Sequence, residues 1–87
     1  MIEKDDVIQF NENHKWRGCL GIIREVKTCQ VRETIEPSDT IKVDIRYMVG
    51  VPIPQQGTAF IYVMESENAL EKIGKAVLTM KDGEESE

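Results

Sequence analysis

The chain has 87 residues, 40% of them hydrophobic, with 11 Lys and Arg against 16 Asp and Glu for a net charge of -5. That length holds one domain and excludes two independent cores, and the composition excludes a disordered chain. Nothing approaches the roughly 18 apolar residues of a membrane span. The first ten residues, MIEKDDVIQF, place Lys4, Asp5 and Asp6 where a signal peptide needs an apolar run. A cytoplasmic protein, with reduced thiols and no membrane partner, is therefore expected.

The charge is unevenly spread. Residues 81–87 hold Lys81 against Asp82, Glu84, Glu85 and Glu87, which predicts an acidic flexible tail after a single domain over residues 1–80. The segment His14–Arg32 is basic: Lys15, Arg17, Arg24, Lys27 and Arg32 stand against Glu25 alone.

In chain order, Asp6–Phe10 predicts a first strand with Ile8 and Phe10 inward. Asn11–His14 is loop chemistry. A second strand follows over Cys19–Cys29, where Gly21 marks a bulge or a close backbone approach. One bulge reconciles Ile23 and Val26 on a single face. Gln30–Thr40, with its Pro37-Ser38-Asp39 turn signal, reads as the tip of a long hairpin into which Val31 and Ile35 extend the strand.

Ile41, Val43, Ile45 and Tyr47 alternate with Lys42, Asp44, Arg46 and Met48, the clearest strand in the chain. Pro52 and Pro54 cannot donate to a ladder, so Val49–Gly57 is expected to be a rigid extended connection. Thr58–Val63 is a fourth strand, with Ala59, Ile61 and Val63 on one face and Phe60 and Tyr62 on the other. Ala69, Leu70 and Ile73 then fall at helical spacing after a capping Ser66 and before Gly74, which predicts a helix of about two turns. Lys75–Met80 completes five strands. The fold expected is mostly β: a small SH3-like barrel of five antiparallel strands with one short helix before the last strand.

The opening stretch carries a resemblance. Asp6-x-Ile8-x-Phe10, a turn with Lys15 and Arg17, and Gly18-x-x-Gly21-x-Ile23-x-x-Val26 resemble a KOW-type motif over the first third of the chain. That motif opens the SH3-like barrels of several ribosomal proteins and transcription elongation factors. The resemblance implies that the loop Asn13–Arg17 contacts RNA or protein. The segments NENHKWRGCLGII and YMVGVPIPQQGTAFIYV also make the chain similar to small uncharacterised proteins of bacteriophages and prophages of Gram-positive bacteria. This implies a short accessory gene product.

Two groups of residues are candidates for binding. His14, Lys15, Trp16 and Arg17, with Arg24 and Lys27 nearby, join a stacking surface to cations that hold phosphates or carboxylates. The plainer alternative folds Trp16 back as a lid on the barrel and leaves Lys15 and Arg17 solvated. Phe60 and Tyr62, with Pro52, Ile53 and Pro54, form an aromatic groove suited to an extended peptide or to a homodimer. The plainer alternative packs that face under the helix.

His14, Cys19 and Cys29 have no zinc spacing and no third catalytic group, and the carboxylates of Asp5, Asp6, Asp39 and Asp44 are expected to be mostly solvated. No catalytic, metal or cofactor site is assigned. The expected function is a non-enzymatic binding module for a protein partner or a second copy of itself. The alternative is a KOW-like RNA- or DNA-binding domain that uses the basic Trp-containing loop.

Overall fold

The computed structural model describes residues 1–35 and 38–77. Five strands form one antiparallel sheet: β1 (Asp6–Phe10), β2 (Leu20–Ile35), β3 (Ser38–Ile53), β4 (Gly57–Met64) and β5 (Leu70–Lys75). Their order across the sheet is β4-β3-β2-β1-β5. The mostly-β expectation and its five antiparallel strands hold. Among the described residues no helix is long and apolar enough to cross a membrane.

The barrel is not closed. The edge strands β4 and β5 pair with β3 and β1 and not with each other. The sheet buries its apolar side by curling. Ile8, Phe10, Ile23, Tyr47, Val49, Val51, Val63 and Ala69 form one cluster drawn from β1 to β4 and from the segment leading into β5. Such a cluster stabilises the domain because it removes apolar surface from water.

The expected helix is absent. Only a 3-10 turn, Glu65–Glu67, forms, and the residues after it add to the free side of β1 as β5. The turn is held by the Glu67 carboxylate, which accepts from the Met64 backbone N–H at 2.9 Å. Ser66 does not cap a helix. Its hydroxyl donates to Asp44 Oδ2 at 2.5 Å and so pins the turn to β3. An isolated two-turn helix has little stability of its own. Pairing Leu70–Lys75 with β1 satisfies the backbone groups that β1 would otherwise present at an edge. The pairing steps from Val7↔Gly74 to Ile8↔Lys72, so Ile73 is left over at a bulge and exposed. Gly74 is a strand residue, not a helix stop.

The bulge predicted in β2 exists, one turn of the pattern later than Gly21. Ile23 pairs with Val49 and Glu25 with Met48, so Arg24 is the extra residue. Val26 then pairs with Tyr47, which returns Ile23 and Val26 to the same face. Gly21 answers to the other expectation, close approach. A Cβ there would lie 2.6 Å from Val49 Cγ1 and 3.2 Å from the Gly50 carbonyl oxygen.

Val49–Gly57 is not an extended connection. β3 runs through Pro52, which pairs with Thr58, and the chain reverses at a turn closed by Gln56 N–H to Ile53 O at 3.0 Å. Pro52 is tolerated because the β2–β3 pairing ends at Ile22↔Gly50, so no partner from β2 faces it. The long hairpin is longer than expected, paired out to Ile35↔Ser38. Its Pro37 turn, residues 78–80 of the expected last strand and the acidic tail 81–87 lie outside the described residues.

Candidate functional site

The β1–β2 loop is built inward. Asn11 Oδ1 accepts from the Asn13 N–H at 2.8 Å, and both Asn side chains donate to the Asn68 carbonyl, at 2.9 and 2.8 Å. Asn68 holds a left-handed conformation, φ 51°, a geometry Asn tolerates better than most residues. The loop is thereby tied to the start of β5. His14 stacks on Phe10 at 4.6 Å between ring centroids, and its Nδ1 accepts from the Trp16 N–H at 3.0 Å. Trp16 meets the edge of Phe10 and packs against the core. The lid arrangement of Trp16 is the one observed. Lys15 and Arg17 are exposed beside it.

Trp16, Lys15 and Arg17 instead line one wall of a shallow groove of about 430 Å³ whose other wall is Val51–Pro54. Pro52, Ile53 and Pro54, expected to form a groove with Phe60 and Tyr62, line this groove with the Trp16 loop instead, and Phe60 and Tyr62 are not part of it.

The second candidate group lies on the convex face of the sheet. Phe60 pairs with Gly50 and Tyr62 with Met48, on the side opposite the core. Among the described residues no helix covers them, and Phe60 and Tyr62 are 57% and 55% exposed. The Arg46 guanidinium lies 4.5 Å from the centre of the Tyr62 ring, a cation–π geometry. The bulge that lifts Arg24 out of the ladder lays its side chain over Gly50 next to the edge of Phe60. Lys27 pairs with Arg46 across β2 and β3 and makes a loose ion pair with Glu25 at 3.8 Å.

The structure therefore brings Arg24, Lys27, Phe60 and Tyr62 together on one surface, and His14, Lys15, Trp16 and Arg17 on another. Arg46, Met48, Ile22 and Leu20 belong to the first surface and were not singled out from sequence. Alternation alone could have placed Arg46 and Met48 there, because they share the parity of Gly50.

Asp6 departs from the expectation of mostly solvated carboxylates, and the Asp39 side chain lies outside the described residues. Asp6 is fully buried at the head of β1. Its Oδ2 accepts from the Glu3 N–H at 2.7 Å, and Lys72 and Lys75 approach within 3.4 and 3.6 Å. The Glu3 N–H, aided by the two ammonium groups and opposed by burial, holds Asp6 below the usual carboxylate range. Asp44, bonded by Ser66 and by the backbone N–H groups of Ile45 and Ser66, is lowered in the same way. Asp6 shares the parity of Ile8 and Phe10, and that was the signal available. Both groups act as structural ties between elements.

Cys19 and Cys29 are free thiols. Among the described residues no group of three or more His, Cys, Asp or Glu side chains is placed to hold a metal ion. Comparison of the chain with protein-family models, with curated proteins and with solved structures returned no match.

Proposed function

We propose that this chain is a non-enzymatic interaction module that docks a protein partner on the convex β3–β4 face. The observation that carries the reading is the pair Phe60 and Tyr62, two large aromatics exposed side by side on the face opposite the core. Paired aromatics with arginines at their edge are the composition enriched at the centres of protein interfaces. Arg24, Arg46 and Lys27 favour a partner whose apolar patch is rimmed by acidic groups. The strand order and the 3-10 turn before β5 support an SH3-like, partly open barrel as the scaffold.

The test is affinity capture from a bacterial host extract with the wild-type chain and with Phe60→Ala/Tyr62→Ala. Both side chains are exposed, so the double variant is expected to keep the wild-type melting curve. A protein retained by the wild type and lost from the variant is the expected result. Equal capture by both overturns the reading.

A nucleic-acid reading of the same face rests on Arg46 stacked over Tyr62 beside Arg24, a platform on which bases could stack. Salt-sensitive binding of labelled single-stranded RNA or DNA that the double variant abolishes would replace the protein partner with a nucleic acid.

A further inference from the structure

At its inner end β3 outruns one of its neighbours. Its pairing with β2 ends at Ile22↔Gly50, while its pairing with β4 continues through Pro52↔Thr58 to Ile53↔Gly57. Beyond Gly50 the β1–β2 loop faces β3, and the groove of about 430 Å³ lies between them. One wall, Val51–Pro54, is apolar and carries two prolines, which donate no backbone hydrogen bond.

The other wall carries Lys15 and Arg17 on either side of Trp16. Among the described residues neither cation makes an ion pair, whereas Lys27, Lys72 and Lys75 all do. No acidic side chain lines the groove, Glu12 of the same loop included. Two uncompensated cations over an apolar trough are complementary to carboxylates joined to apolar groups. The wall is also set in advance, because the bonds from Asn11 and Asn13 to the Asn68 carbonyl fix the path of the loop. A preformed site lowers the ordering cost of binding. Nucleic acid fits it less well. Trp16 is half-buried against Phe10 and the opposite wall is aliphatic, so no free pair of aromatic faces receives a base.

We propose that this groove binds an extended acidic peptide of a partner protein, one in which apolar side chains alternate with carboxylates. Alternate side chains of an extended strand point to opposite sides. The apolar set enters between Trp16 and Val51–Pro54, and the carboxylates stay at the rim within reach of the long Lys15 and Arg17 side chains. The site is independent of the convex face, since none of Arg24, Lys27, Phe60 and Tyr62 lines it.

The probe is a fluorescein-labelled synthetic peptide, ELEVELE, titrated into the full chain. Saturable binding is expected, and the neutral peptide QLQVQLQ and a glutamate heptamer should each bind at least about tenfold more weakly. Lys15→Glu/Arg17→Glu should weaken ELEVELE at least about tenfold, and Arg32→Glu, a reversal on the outer hairpin, less than about twofold. Cys19 lines the groove and is exposed, so in a Cys29→Ser background bound ELEVELE should slow its alkylation severalfold. That protection decides the matter if the double reversal does not fold. No saturable binding, equal binding of QLQVQLQ, or binding that leaves Cys19 unprotected overturns the proposal. Loss of binding in Phe60→Ala/Tyr62→Ala alone would move the peptide to the convex face. Tighter binding of a single-stranded oligonucleotide that competes with ELEVELE would assign the groove to nucleic acid. Faster Cys19 alkylation without peptide in Asp82→Asn/Glu84→Gln/Glu85→Gln/Glu87→Gln would make the chain's own acidic end the occupant. Each of these three results overturns the partner peptide.

Discussion

Val43 and Val49 stand on the same strand and the same side of the same sheet, three alternation steps apart. Val49 is fully buried, with Ile23 paired to it on one side and Ile61 on the other. Val43 has Gln30 on one side, and β4 ends before reaching it. A strand's pattern thus states which face is apolar, and only the extent of its neighbours decides how much of that face is covered. The inner half of β3 is a core and the outer half is a surface, written in one alternation.

The sharpest way to break this comparison is to place the same charge at both positions. Val49→Asp buries an unpaired carboxylate and should cost about 4 kcal/mol or more, enough to unfold a domain of ordinary stability. Val43→Asp should change the denaturation midpoint of the monomeric chain by no more than about 0.5 kcal/mol. Equal costs in urea titrations would mean that the outer half is covered within the monomer.

Gly21→Ala sharpens the inner side of the comparison. The new methyl meets Val49 Cγ1 and, behind it, the backbone of Gly50, so the strands must part. A loss of about 1–3 kcal/mol is expected from chemical denaturation. A neutral result would show that Val49 turns aside freely and that the centre of the sheet is looser than its burial implies.

The smallest expected effect is on pH dependence. Asp6 is held below its unfolded value of about 3.9, so the unfolded chain binds its proton first. The stabilisation is complete above the unfolded value and is lost as pH falls through the lower folded value. Melting temperature should therefore drop on acidification below about pH 4, and Asp6→Asn should flatten part of that drop. Asp44, lowered by its bond from Ser66, keeps the remainder. An identical acid profile for the variant would remove Asp6 from the linkage.

Much of the sheet was legible because period-two alternation is a local property. Asp6–Phe10 was read with its observed boundaries, and the two faces of β4 were assigned correctly. The bulge was legible as a phase slip between Ile23 and Val26, although not the residue that makes it. Of the candidate surface, Phe60 and Tyr62 could be placed opposite the core by parity alone. What covers that face could not, since a missing helix leaves no mark in the alternation of β4.

The sequence by itself determined the apolar stripes, the class of the sheet and the inward side of β1 at Ile8 and Phe10, while the burial of Asp6 on that side was decided by the fold. The tertiary structure decided the rest. Leu70–Lys75 became a strand because β1 had an open edge to satisfy, against a helical spacing too short to stand alone. Trp16 turned onto Phe10 because the Asn11–Asn13–Asn68 bonds fix the path of its loop. The stripe of β3 was split into core and surface because β1 and β4 are shorter than the hairpin they flank. Local sequence fixes the direction in which a side chain points, while burial depends on what the rest of the chain brings to meet it.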